Sequence, residues 1–161
     1  MMPIAPSFQF VAENIMRKCL LPVAALMLIA AEAPSDEVKK EMAKLEGTWF
    51  MVSGEIDAQA MPDSYVANGK RVSENGVTTV TFNGQLFMKA KYTVDPAKKP
   101  KTIDYVMTDG PTKGKTQLGI YEIDGDRVKF CFASPGKDRP TEFATKPGSG
   151  LTLSIWKREK K

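Results

Sequence analysis

The turn dipeptides Asn75-Gly76, Asn83-Gly84, Asp109-Gly110 and Asp124-Gly125 cut the middle of the chain into short runs. Asn-Gly and Asp-Gly tolerate the positive φ that a tight hairpin demands, so each run is set antiparallel to the next. No segment between the runs is long and apolar enough for the crossover helix that parallel strands require. The chain must therefore meander. Eight strand-like runs are predicted, at 48–55, 69–73, 77–82, 85–94, 102–108, 116–123, 127–133 and 151–157. Residues 57–68, with Pro62, and 134–150, with three prolines, read as loops. Eight short strands joined mostly by tight turns predict an all-β, up-and-down antiparallel barrel.

The first 45 residues read differently. Arg17-Lys18 precede a charge-free apolar run from Cys19 to Ala30, and Ala31-Glu32-Ala33 follow. A basic start, a short apolar stretch and an A-x-A site predict a secretory signal cleaved after Ala33, hence a periplasmic or extracellular protein. The run is shorter than the roughly 20 apolar residues of a membrane span, and an uncleaved anchor is the alternative. Met16, directly before Arg17, makes a more ordinary start, which would leave residues 1–15 as an over-extended beginning. Residues 34–161 then form one domain. Within it, Ser35 precedes Asp36-Glu37 as a helix N-cap, and Val38, Met42 and Leu45 recur on one helical face. A short helix over 36–45 is expected to pack on the barrel.

Composition closes several chemistries. The chain has no histidine, which removes Ser-His-Asp and Cys-His catalysis and every imidazole-based metal site. Cys131 is the single thiol after residue 33, so no internal disulfide, closed zinc site or other cofactor is expected. The net charge of +4 is carried largely by Lys98, Lys99, Lys101 and the tail from Lys157. Those clusters sit in turns and at the terminus without interleaved aromatics, so no nucleic-acid partner is expected.

Alternation assigns faces. Ile103, Tyr105 and Met107 share one face, as do Leu86, Met88, Ala90 and Tyr92, then Val128, Phe130 and Phe132, and finally Leu151, Leu153 and Ile155. These faces are expected to point inward, giving a nearly all-apolar interior. Tyr105, Met107, Met88, Tyr92 and Phe130 are the candidate contacts for a ligand, with the two tyrosines as polar anchors. Lys101, Asp104 and Arg139 are candidates for a polar rim, although Asp104 can equally serve a strand or pair with Arg139. Phe143, in the same loop as Arg139, is a candidate plug for a barrel end. Glu55, Asp57, Asp104 and Glu122 are the acids available to an enzyme, and spacing brings no two of them together.

Gly47-Thr48-Trp49 at the opening of the first strand and Arg158 just past the last resemble the pair that closes one end of lipocalins and fatty-acid-binding proteins. The structural roles of Gly47, Trp49 and Arg158 follow from that likeness: an indole capped by a guanidinium. Leu45-Glu46-Gly47-Thr48-Trp49, Thr93-Val94-Asp95-Pro96, Pro100-Lys101-Thr102-Ile103-Asp104, Gly119-Ile120-Tyr121-Glu122-Ile123, Phe130-Cys131-Phe132 and Arg139-Pro140-Thr141-Glu142-Phe143 occur in order. Together they resemble a lipocalin-like domain family abundant in planctomycete-type bacteria. The likeness spans 45–158 and implies a calycin-like barrel with a helical turn at its base, but no activity. Asp57-Ala58 departs from it, where a glycine commonly follows the aspartate.

The expected function is an exported, monomeric barrel that binds a small hydrophobic molecule. The alternatives are a packed barrel acting as a protein or cell-envelope interaction module and, behind both, a carboxylate, Tyr or Lys enzyme. The primary expectation is no enzyme, no cofactor and no metal.

Overall fold

The computed structural model describes residues 33–160, and the expected export segment up to residue 32 lies outside the described residues. Helix α1 (Asp36–Leu45) leads into β1 (Gly47–Ile56), β2 (Gln59–Ala60) and a short helix α2 (Asp63–Ala67). The chain then runs through β3 (Gly69–Glu74), β4 (Val77–Phe82), β5 (Gln85–Asp95), β6 (Lys101–Asp109), β7 (Thr116–Asp124), β8 (Arg127–Ala133) and β9 (Leu151–Arg158). From β3 onward each strand pairs antiparallel with the next, and β1 pairs with both β3 and β9. The result is a closed eight-stranded antiparallel barrel made of β1 and β3–β9. Among the described residues no helix is long and apolar enough to cross a membrane.

One end is shut by α1. Ser35 accepts a hydrogen bond from the Val38 N–H at 3.3 Å, and Asp36 and Glu37 occupy the positive first turn of the helix. Leu45 is buried in the core, with Val38 and Met42 packed against it. The Trp49 indole N–H donates to the Leu45 carbonyl at 3.0 Å. The Arg158 guanidinium lies 4.0 Å from the Trp49 ring centre and donates to the Glu46 and Lys44 carbonyls. The last strand is thereby tied to the first.

Glu41 fastens the helix from its inner side. Its buried carboxylate pairs with Lys101 and with Lys44 at 3.0 Å, and accepts from the Tyr121 hydroxyl at 3.2 Å. Burial pushes this carboxyl up, but the two lysines outweigh it and hold the group below its ordinary value of 4.5. A carboxyl lowered in the folded state stabilises above its unfolded pKa, and that contribution fades as pH falls through the folded pKa. Glu41→Gln is expected to destabilise by about 1–2 kcal/mol at pH 7, since both lysines are substantially solvated. Urea unfolding at pH 7 and below pH 4 should show the gap to wild type narrowing in acid.

Three details differ from the sequence reading. Residues 57–68 are not a plain loop but hold β2 and α2, because Asp57 and Ala58 turn the chain at φ of 50° and 65° without a glycine. In β5 the register shifts opposite Val80 and Thr81, which leaves Leu86 exposed while Phe87 reaches the barrel mouth.

The third difference is the facing of β9. Ser154 and Trp156 are buried inward, whereas Leu151, Leu153 and Ile155 face out and stay half-buried. The reason lies outside the barrel, where the 134–150 segment lays a second, smaller cover over the wall. Ile120 and Cys131 are buried beneath it though apart from the main core, and Leu153 pairs with Cys131 in register. The Cys131 thiol donates to the Ala144 carbonyl at 3.8 Å. Burial pushes that thiol up, against the effect of this hydrogen bond. The segment is pinned by Asp57, whose carboxylate accepts from the Gly150 N–H at 2.6 Å and from Ser149 at 3.3 Å.

Candidate functional site

Opposite α1 the barrel is not filled. A cavity of about 140 Å³ runs from its middle toward the end where β1 finishes and β5 begins. Met88, Phe132 and Trp156 supply apolar walls, and Met61 lies over the outer part. Met61 is held there by its N–H, which donates to the Gly54 carbonyl at 2.8 Å. Ile56 and Phe87, 46% and 49% exposed, line the outer end, so the cavity reaches the surface between them. Tyr65, Phe82 and Phe87 stand in a row at this mouth, with successive ring centres 5.2 Å apart.

Gly119 makes room for one wall. It points inward beneath the Phe132 ring, and a Cβ there would come within 2.4 Å of that ring. The absent side chain lets Phe132 lie flat against the strand.

The polar part of the lining is Arg71 from β3, where it and Ser73 turn inward and Val72 turns out, with Tyr105 from β6, Gln117 from β7, and Thr152 and Ser154 from β9. Arg71 is only 5% exposed. Its guanidinium stacks at 4.4 Å from the Phe130 ring centre and 4.7 Å from that of Trp156. Its Nη1 donates to the Tyr105 hydroxyl and, at 3.4 Å, to Thr78. Among the described residues no ion pair involves Arg71, and its buried Nε has no hydrogen-bond partner. Burial holds the Tyr105 hydroxyl above its ordinary range despite Arg71 beside it, so it is a neutral phenol and no counter-charge. The indole N–H of Trp156 donates to Ser154 at 2.9 Å.

Of the five candidate contacts, Tyr105 and Met88 line the cavity. Tyr92, Met107 and Phe130 are buried in the core outside its lining, Phe130 serving as a face for Arg71. Among the described residues the Tyr92 hydroxyl has no partner, and burial pushes its pKa up to about 12. The expectation of a nearly all-apolar interior is corrected by Arg71, Ser73, Thr78 and Ser154, all buried.

The three rim candidates do not meet in one site. Lys101 belongs to the closed end with Glu41. Asp104 faces outward and pairs with Arg139 at 2.6 Å, and Arg139 also donates to the Gly119 carbonyl at 2.8 Å. Phe143 plugs no barrel end; it lies on the outer wall, 4.4 Å from the Lys129 ammonium. The four acids are engaged separately: Glu55 by Thr145, Asp57 by Gly150, Asp104 by Arg139, and Glu122 by Lys129 at 3.1 Å. Among the described residues no group of three or more His, Cys, Asp or Glu side chains could hold a metal ion.

Fold and cavity together define a closed eight-stranded β-barrel with a small internal chamber and a buried arginine on its wall. Comparison with protein-family models, with curated proteins and with solved structures found no match.

Proposed function

We propose that this protein is an exported, lipocalin-like barrel that takes up a small, mostly apolar molecule. The observation that carries the reading is the cavity itself, about 140 Å³ and walled largely by Met88, Phe132 and Trp156. A space near 150 Å³ accommodates a single benzene ring, so the ligand is of that size rather than a long lipid. Pockets of this kind bind through apolar walls and orient through a few polar groups. Export is supported by the run from Arg17 to Ala33. The lipocalin-like assignment is supported by Trp49 under Arg158 and by the helix that shuts the same end.

Trp156 lines the cavity and Trp49, the second of two tryptophans, does not. Toluene is expected to change the Trp156 emission in a Trp49→Phe background. In the wild-type protein it should raise the melting temperature, as any ligand of the folded state must. An unchanged emission and melting temperature at saturating toluene would remove the carrier reading. The exposed Tyr65 and Phe87 at the mouth favour a second reading, an interaction module that uses this apolar lip to meet a protein or envelope partner.

A further inference from the structure

A buried cation without a counter-ion is expensive, and proteins rarely keep one without a use for it. Arg71 is such a group: 5% exposed, part of the cavity lining, and outside every ion pair among the described residues. The rings of Phe130 and Trp156 offset part of the cost through cation–π attraction. They leave the hydrogen-bonding demand unmet. Nη1 is used by Tyr105 and Thr78, while Nε and Nη2 donate to nothing among the described residues. Nε is packed away from any space a water could enter, so Nη2, which donates to nothing among the described residues, is the nitrogen left to meet a carboxylate with a charge-assisted hydrogen bond. Ser154 adds a second donor, because its oxygen accepts from Trp156 and its own hydroxyl hydrogen has no acceptor among the described residues.

An unpaired positive charge and the Ser154 hydroxyl thus line a chamber whose remaining walls are mostly apolar, with Tyr105, Gln117 and Thr152 among them. We propose that the cavity ligand is a small organic monocarboxylate, its headgroup held by Arg71 and Ser154 and its short tail lying along Met88 and Phe132 toward the mouth. The volume limits that tail to a single ring or a chain of a few carbons. This inference rests on the reading of the cavity as a ligand site and adds the chemical class of the ligand.

Benzoate and its neutral isostere benzamide separate the two claims, with acetate as the headgroup alone. Calorimetric titration of the wild-type protein is expected to show benzoate binding about 10- to 100-fold more tightly than benzamide, the span of a charge-assisted hydrogen bond. Acetate should bind more weakly than benzoate, because it leaves the apolar walls uncovered. Arg71→Met should erase the preference for benzoate and leave the melting temperature at or above that of wild type, since an apolar replacement of an unpaired buried charge is tolerated. Arg71→Lys, which keeps the charge and loses the planar guanidinium, should retain part of the preference.

Equal binding of benzamide and benzoate would overturn the carboxylate assignment while leaving the ligand cavity standing. Failure of benzoate, benzamide and toluene alike would remove both. Acetate binding as well as benzoate would reduce Arg71 to a simple anion site and contradict the proposal. If Arg71→Met fails to fold, the wild-type comparison and Arg71→Lys decide. A sharp loss of stability in Arg71→Met, together with no preference for benzoate in the wild type, would make Arg71 a structural brace.

Discussion

Trp49→Ala is expected to lower the unfolding free energy by about 3–5 kcal/mol, the range for removing a large aromatic from a core. Trp49 is fully buried at the closed end, with 0% of its surface exposed. Its loss removes apolar contact with Leu45, leaves the Leu45 carbonyl without the indole donor, and takes away the face on which Arg158 stacks. Domains of this size are stable by about 5–15 kcal/mol, so one substitution takes a large share of the total. Urea denaturation measures it directly. A loss below about 1 kcal/mol would mean that α1 and Arg158 close the barrel without the indole.

The second large effect falls on function. Gly119→Val is expected to abolish ligand uptake and to destabilise by about 1–3 kcal/mol, the usual range for overpacking. A Cβ at position 119 would meet the Phe132 ring at 2.4 Å and the backbone carbonyl of Cys131, on the same neighbouring strand, at 3.0 Å. The ring is the part able to give, and it gives toward the space it now lines. Phe132 would then occupy the chamber. Toluene should no longer raise the melting temperature of this variant, whereas an unaltered response would show that the ring escapes elsewhere.

The architecture was readable because its signals are local. Asn75-Gly76, Asn83-Gly84 and Asp124-Gly125 dictate hairpins through backbone sterics alone, and Ser35 with Val38, Met42 and Leu45 defines α1 by the same short-range logic. Asp57-Ala58 shows where that logic stops. It is a tight turn at positive φ with an alanine in place of glycine, so the β1–β2 hairpin carries no sequence signature.

The interior was harder to read, for two physical reasons. Alternation reports which face of a strand is apolar, not which face is inside. In β9 the segment 134–150 covers the outer wall, so Leu153 finds a partly buried place outside while Ser154 and Trp156 turn in. In β3 the inward residues are Arg71 and Ser73 and the outward one is Val72, the reverse of a hydrophobic pattern. Alternation therefore gives no reason to place Arg71 inside. The signal that could have found it is its place on one strand face with Ser73, opposite Thr78 and Val80 across the hairpin at Asn75-Gly76. The separation of Lys101 from Asp104 was readable in principle. Three residues apart on one strand they face opposite sides, Lys101 toward Glu41 and Asp104 toward Arg139.

Native mass spectrometry of the protein purified from its own source shows whether the barrel carries a small ligand. A bound species of the mass of a single-ring or short-chain carboxylate, lost on denaturation, is expected. The emptied protein should then take up benzoate with one-to-one stoichiometry. A clean apo mass that no benzoate, benzamide or toluene can shift would contradict the carrier reading and leave the aromatic lip of Tyr65 and Phe87 as the working surface of a packed barrel.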